Sequence, residues 1–138
     1  MALIDWNDDM SVNDDVLDRQ HQELIAMIND LGEAMEQGKG KEILSEIFTR
    51  LMNYSLRHFR SEEKYIERLR YPEANYHKQV HANFITKVTE FKKKLDDENE
   101  VFSVNVLCFM RDWLYNHIMM TDRQYVRFFK NRVEGDVS

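Results

Sequence analysis

Apolar side chains recur at alternating steps of three and four residues in four long stretches of the chain. The stripe of the first stretch consists of Leu17, His21, Leu24, Ile28, Leu31 and Met35. This spacing is typical of helices that pack side by side at a shallow angle, because each step returns to nearly the same face. The pattern predicts four helices, at about residues 15–37, 41–69, 72–95 and 104–131.

Three short breaks separate these stretches, at residues 38–40, 71–72 and 96–99. The first is rich in glycine, the second contains the single proline, and the third is polar and leads to Ser103 as a predicted N-cap. Connections this short leave each helix antiparallel to the next. The sequence therefore predicts an all-α fold, an antiparallel up-down-up-down four-helix bundle.

The whole chain, residues 1–138, is predicted to form one domain, because 138 residues suffice for a single core. Residues 1–14 are expected to form an N-terminal arm that places Trp6 on the bundle, and residues 132–138 a loose tail. The chain has one proline and four glycines, which favours long helices over an all-β fold with many tight turns.

The charge and the apolar runs limit the classes of partner. A net charge of −6 repels phosphate groups, so nucleic acid is not expected as a partner. Neither a secretory signal nor an apolar run of about 18 residues is visible, so no membrane span is expected. Cys108 is the single cysteine and fits a reducing compartment. We therefore expect a cytoplasmic protein, with a monomer as the simplest state.

All five histidines fall on the predicted inward stripes: His21, His58, His77, His81 and His117. A single histidine on such a stripe is more often a hydrogen-bonded core residue than a metal ligand. Five buried imidazoles without partners would cost several kcal/mol in total. A shared metal centre removes this cost, so we interpret the five histidines as candidate ligands.

The spacings add two carboxylates to this set. His58 and Glu62 are four residues apart, as are His77 and His81, whereas His117 and Asp122 are five apart. Residues four apart share one helix face. Residues five apart lie about 140° apart on an ideal helix, so the last pair requires a long reach or a local loosening of the helix. Counting residues from each turn places all seven candidates at similar heights in the core.

Five imidazoles and two carboxylates are too many ligands for one tetrahedral zinc, and the chain has no thiolate cluster. Imidazole with carboxylate at higher coordination suits iron, or manganese as a lesser option. Two six-coordinate irons offer about twelve coordination positions. The five imidazoles, two bridging carboxylates and one bridging oxo or hydroxo group would fill all but one of them. An odd number of histidines divides three to two, which leaves the open position, for dioxygen, on the two-histidine iron.

The sequence resembles the hemerythrins, most closely the single-domain bacterial members of that family. The matching stretches run in order through almost the whole chain: Trp6, Ser11-Val12, Asp18-Arg19-Gln20-His21, His58-Phe59, Glu62-Glu63, Tyr71-Pro72, His77, His81, Trp113 to Ile118, Asp122 and Tyr125. One departure is Asn13, where the family often has glycine. Asparagine tolerates positive φ better than most residues, so the departure affects the arm and not the metal site.

The resemblance implies a role for each candidate. His77, His81 and His117 would hold one iron, His21 and His58 the iron that takes up dioxygen, and Glu62 and Asp122 would bridge the two. Trp113 and Ile118 would line the dioxygen pocket, and Glu63 would be a surface acid.

The function expected from the sequence is reversible dioxygen binding, for transport, storage or delivery, with no catalytic residues. A di-iron redox enzyme, or a sensor of dioxygen, nitric oxide or redox state, would use the same centre and stays open, as does an oxygen-using protein partner. Ferritin-like iron handling is disfavoured, because paired ExxH motifs are absent from the sequence. A purely structural bundle is the remaining alternative.

Overall fold

The computed structural model describes residues 3–97 and 104–137, and the side-chain surroundings of residues 3–96 and 104–131. Its helices are α1 (Asp15–Glu36), α2 (Lys41–Arg68), α3 (Ala74–Asp97), α4 (Val104–Asn116) and α5 (Arg123–Val137). A π-helical segment, His117–Asp122, joins α4 to α5 without a break, and these three pieces form the fourth rod of the bundle. The described residues contain no strand, and the four antiparallel rods confirm the predicted fold class.

The bounds differ from the predicted ranges mainly at two points. α3 begins at Ala74 and not at Pro72, because residues 72 and 73 form a turn that precedes the helix. α5 continues to Val137, so the backbone of the expected loose tail is helical up to that residue. The predicted N-cap Ser103 lies outside the described residues. Among those described, no helix has the length and apolarity needed to cross a bilayer.

The N-terminal arm is attached to the bundle by polar side chains of α1. Asn29 Oδ1 accepts hydrogen bonds from the backbone N–H groups of Leu3 and Ile4, at 2.8 and 3.1 Å, and Asn29 Nδ2 donates to the carbonyl of Ile4. Trp6 is half-buried and packs against the main apolar cluster, where the sequence places it.

The junction between the arm and α1 requires a left-handed residue. Asn13 has φ of 60°, a conformation that asparagine adopts more readily than most residues, so the turn forms without glycine. Asp14 then caps α1 by accepting a hydrogen bond from the N–H of Leu17 at 3.0 Å. Asp18 in the first turn of α1 accepts hydrogen bonds from Ser11 and Val12. Short polar side chains therefore fix where the first helix begins.

The first two helices end in the same backbone motif. After α1, Gly38 has φ of 69°, and after α2, Arg70 has φ of 59°. In both cases, the N–H of this residue and of the residue after it donate back to carbonyls of the last helical turn. Glycine has no Cβ to disfavour this conformation, whereas arginine adopts it at a cost of about 1–2 kcal/mol.

The core consists of two apolar clusters at different heights of the bundle. The larger one is built from buried residues such as Leu24, Phe59, Phe84, Leu114 and Ile118. The smaller one contains Val12, Leu17, Ile66, Tyr71 and Tyr125. The buried histidines and carboxylates lie at the height where one cluster meets the other, for example His21 between Leu17 and Leu24 and Asp122 between Ile118 and Tyr125. The fold therefore holds a polar layer between two apolar ones.

The buried stripe of α2 is wider than the sequence predicts. Phe48, Ser55, Phe59 and Ile66 are buried, whereas Ile47, Tyr54 and Tyr65, which steps of three and four residues place on the inward stripe of this helix, are half-buried. The reason is that α2 packs against both α1 and α3, so a broad face is covered and not a narrow seam.

Candidate metal centre

Five imidazoles and two carboxylates meet in the polar layer. Each is at most 3% exposed, and they are His21, His58, Glu62, His77, His81, His117 and Asp122. α1 contributes one of them and every other rod contributes two. The structure thus brings together all seven residues that the sequence singled out.

Glu62 divides its two oxygens between two groups of histidines. Its Oε1 faces three Nε2 atoms, at 2.6 Å (His77), 3.0 Å (His81) and 3.5 Å (His117). Its Oε2 faces two others, at 3.6 Å (His21) and 3.7 Å (His58). One carboxylate therefore lies between a three-histidine group and a two-histidine group.

Asp122 repeats this division. Its Oδ1 lies 3.0 Å from Nε2 of His77 and 2.9 Å from Nε2 of His117. Its Oδ2 lies 3.2 Å from Nε2 of His21. Each carboxylate offers one oxygen to each group, which is the arrangement that two carboxylates bridging a pair of cations require.

The π-helical segment explains how His117 and Asp122 both reach the centre. In an α-helix, residues five apart point in directions about 140° apart. A π-helix forms i→i+5 hydrogen bonds, so residues five apart come close to one face. The six residues of this segment begin with His117 and end with Asp122. They supply the local loosening of the fourth helix that the five-residue spacing required.

Several buried polar atoms of the centre fit a cation better than a hydrogen-bond network. Among the described residues, Nε2 of His21, Nε2 of His58 and both oxygens of Asp122 have no hydrogen-bond partner. Such orphaned groups are rare in folded proteins, and a bound cation would satisfy them. Nε2 of His81 and Nε2 of His117 also lie 2.9 Å apart. Ligands bound at right angles, about 2.1 Å from a common ion, lie about 3 Å apart. The donor set therefore fits metal binding.

Two histidines are strongly drawn toward the protonated form by the carboxylates. Burial alone would lower the pKa of His21 and of His77. The close approach and negative charge of Asp122 and Glu62 outweigh burial and raise the pKa to about 9 for His21 and about 10 for His77. The negative charges of the same two carboxylates therefore stabilise a positive charge inside the core.

His58 behaves in the opposite way. Burial and the charge of His21 together lower the pKa of His58 to about 3, so its imidazole is neutral near pH 7. Burial alone would raise the pKa of Glu62, but contacts with four histidines hold it well below its usual range. The centre therefore combines anionic carboxylates with a neutral imidazole, and metal binding requires ligands in these forms.

Three further residues lie in a second layer around the centre. Gln20 Oε1 lies 2.8 Å from Nδ1 of His58, and the hydroxyl of Tyr125 donates to Oε2 of Glu62 at 3.3 Å. The prediction that Glu63 is a surface acid is wrong. Its Oε2 lies 3.3 Å from Nδ1 of His81, and its side chain is 25% exposed. The sequence signal for Gln20 and Glu63 is adjacency, since each directly neighbours a candidate ligand.

Aromatic side chains form a wall on one side of the centre. The indole of Trp113 stacks on His117, with ring centroids 4.5 Å apart and planes at 11°, and the ring of Phe59 stacks on His81 at 4.0 Å. Behind these rings lies an apolar cavity of about 10 Å³ that Trp113 and Phe59 help to line. Ile118 is fully buried in the same apolar cluster. A cavity of that size holds about one water molecule, and apolar walls offer it few partners.

The family model described as "Hemerythrin HHE cation binding domain" matches residues 12–129 of the chain. A bacteriohemerythrin of Stenotrophomonas maltophilia is 33% identical over 125 residues, which cover 91% of this chain and 80% of that protein. A bacteriohemerythrin of Pseudomonas aeruginosa is 34% identical over 126 residues, 91% of this chain and 81% of that protein.

A solved structure gives the same result for the fold. The crystal structure of a wild-type hemerythrin has a TM-score of 0.85 and 27% sequence identity, and the match covers 91% of this chain and 97% of that one. The buried cluster of histidines and carboxylates fits the di-iron site of a non-haem iron protein. By its sequence, its helical bundle and this cluster, the chain belongs to the hemerythrin family.

Proposed function

We propose that the chain binds dioxygen reversibly at a di-iron centre and serves as an oxygen carrier, store or delivery protein. One observation carries the proposal: two buried carboxylates each turn one oxygen to a group of three histidines and the other oxygen to His21 or to the His21–His58 pair. The histidines and the carboxylate oxygens would fill most positions of two six-coordinate irons, with a bridging oxo or hydroxo group between them.

The two groups would hold unequal irons. His77, His81 and His117 would hold one, and His21 and His58 the other, with Glu62 and Asp122 as bridges. The two-histidine position has fewer protein ligands, so dioxygen would enter there. When bound, such a pair of irons supplies two electrons to dioxygen, one from each iron, and recovers them on release.

The surrounding residues favour a carrier over an enzyme. The apolar wall, with Trp113 and Ile118 as the proposed pocket residues, would keep water and protons away from dioxygen. Burial raises the pKa of the Tyr125 hydroxyl, and the charges of Glu62 and Asp122 raise it further. This hydroxyl therefore stays protonated and donates a hydrogen bond to Glu62, so it is not free to act as an acid toward a substrate.

The test is an absorption spectrum of anaerobically reduced, iron-quantified protein through cycles of dioxygen and inert gas. The carrier function requires two irons per chain and a visible band that appears under dioxygen and disappears on its removal. Two irons that oxidise once and do not return would instead indicate a redox enzyme or a sensor. A chain that binds no iron would contradict the proposal altogether.

Single variants test the ligand assignment. We expect His58→Ala and Glu62→Ala each to lose di-iron binding, because no histidine remains outside the centre to replace a lost ligand. Glu46→Ala is the matched control, since Glu46 lies on the same helix with its side chain 68% exposed. Two irons and reversible dioxygen uptake in either ligand variant would refute the assignment.

A further inference from the structure

The outer nitrogen of His58, Nδ1, contacts a neutral amide. Gln20 Oε1 lies 2.8 Å from Nδ1 of His58 and comes from the neighbouring helix, α1. Nε2 of the same ring is buried, has no hydrogen-bond partner among the described residues and lies 3.7 Å from Oε2 of Glu62. The two nitrogens of this imidazole therefore have different surroundings.

A chain of hydrogen bonds determines which way the amide of Gln20 points. The hydroxyl of Ser61 lies 3.1 Å from the backbone carbonyl of Arg57, which can only accept, so its hydrogen is directed there. The oxygen of Ser61 is then free to accept, and Nε2 of Gln20 donates to it at 3.3 Å. The amide thus presents its nitrogen to Ser61 and its oxygen to His58.

We propose that Gln20, oriented by Ser61, is a positioning residue that fixes the tautomer and the orientation of His58. The amide oxygen accepts the Nδ1–H of His58, and a neutral imidazole carries only one such hydrogen. The lone pair is then at Nε2 and faces the oxygens of the centre. This inference rests on the di-iron function proposed above, because it assigns Nε2 of His58 to the two-histidine iron.

The two halves of the centre differ in this second layer. On the three-histidine side, the acceptor for Nδ1 of His81 is the carboxylate of Glu63. On the two-histidine side, the acceptor for Nδ1 of His58 is the uncharged Gln20. A carboxylate makes a ligating imidazole a stronger electron donor, and an amide does so much less. Gln20 therefore holds His58 in place without the added negative charge that Glu63 places on the opposite side.

The experiment compares four variants for anaerobic Fe²⁺ affinity, by competition with a chelator. Gln20→Met removes the acceptor at similar length, Gln20→Glu keeps an acceptor oxygen, and Ser61→Ala removes the group that orients the amide. Gln22→Met is the matched control, because Gln22 is exposed and flanks His21 on its other side. Far-ultraviolet circular dichroism confirms that each variant is folded.

We expect Gln20→Met to lower the Fe²⁺ affinity of one of the two sites about 10–100-fold, because the loss of an outer partner of a metal-bound histidine typically has an effect of this size. Ser61→Ala should lower the Fe²⁺ affinity of the same site by less, whereas Gln20→Glu and Gln22→Met should still bind both irons tightly. A second measurement follows the Nδ1–H proton of His58 by NMR in the diamagnetic Zn²⁺-loaded protein. Its resonance should move upfield in Gln20→Met and downfield in Gln20→Glu, a reversal that a packing defect would not produce.

Four outcomes would overturn the proposal. If Gln20→Met binds both irons as tightly as the wild type, this inference alone is overturned. The same holds if Gln22→Met loses as much Fe²⁺ affinity as Gln20→Met. A Nδ1–H resonance that is unmoved in both Gln20 variants also overturns it alone. A wild-type chain that binds no iron overturns the inference together with the proposed function.

Discussion

The hydroxyl of Tyr125 donates to Oε2 of Glu62 at 3.3 Å, inside the smaller apolar cluster. Glu62 is one of the two carboxylates that contact both histidine groups, so this hydroxyl steadies a residue on which the division of the centre depends. Tyr125 belongs to the stretches that resemble the hemerythrins, but its position on the chain does not reveal this contact. The contact exists because α5 and α2 approach each other at that height.

We predict that Tyr125→Phe keeps the fold and both irons but destabilises the protein. Loss of a hydrogen bond to a buried charged group should lower the free energy of unfolding by about 1–3 kcal/mol, because the phenyl ring leaves Glu62 with one donor fewer. Urea denaturation of the iron-loaded protein measures the effect. Tyr115→Phe, at a residue that is 44% exposed, is the control and should change little. Equal stability of the two variants would contradict a supporting role for the Tyr125 hydroxyl.

Glu63 illustrates what the sequence leaves undecided at this scale. Two adjacent glutamates look alike in the chain, and only one of them can point along the face of His58. The sequence singles out Glu62, which follows His58 by four residues, but it cannot show that α3 places His81 within 3.3 Å of Glu63. Contacts between helices decide which side chains form the outer layer.

Among the secondary-structure elements, the π-helical segment has the clearest functional consequence. The five-residue interval between His117 and Asp122 is visible in the sequence, and it conflicts with a regular α-helix. The structure resolves the conflict by widening six residues of the fourth rod. The interval alone did not choose between a long side-chain reach and a change of helix type, because either would bring the two side chains together.

The helix ends allow a prediction that does not involve the metal centre. Arg70 and Gly38 occupy equivalent left-handed positions after α2 and α1. Introducing a glycine at the first and removing the glycine at the second should therefore change the free energy of unfolding in opposite directions. We expect Arg70→Gly to raise the free energy of unfolding by about 1 kcal/mol and Gly38→Ala to lower it by about 1 kcal/mol. Apart from its neighbours in the chain, no heavy atom of the described residues lies within 4 Å of a Cβ added at Gly38, so backbone conformation alone is tested there. Chemical denaturation of both variants measures it, and changes of the same sign would refute the argument.

For the molecule as a whole, the polar layer between two apolar clusters links stability to the charge of the centre. The carboxylates of Asp122 and Glu62 raise the pKa of His21 to about 9 and of His77 to about 10, from an ordinary value of 6.5. In metal-free protein, protons on these imidazoles stabilise the fold fully below pH 6.5. That contribution is lost as the pH rises toward 9 and 10. Iron requires neutral imidazoles, so in loaded protein the protons compete with the metal.

We therefore predict different pH dependences for the two forms between about pH 7 and about pH 9. After removal of iron, the midpoint of thermal unfolding should fall as the pH rises, by at least about 3 °C for each kcal/mol lost. With iron bound, it should stay level or rise over the same range, and at every pH it should exceed the metal-free value. Circular dichroism melts at both pH values measure this, and parallel slopes in the two forms would count against it.

The sequence by itself determined the helical class, the number of rods and the seven residues of the polar layer. It could do so because helical period and turn residues are local properties, and because five imidazoles on inward stripes are costly to bury unless they share a partner. The resemblance to the hemerythrins already implied which histidines group three to two. The tertiary structure alone decided the π-helical segment and the outer contacts of Gln20, Glu63 and Tyr125. These depend on how side chains from different rods meet at one height, and spacing along one helix does not contain that information.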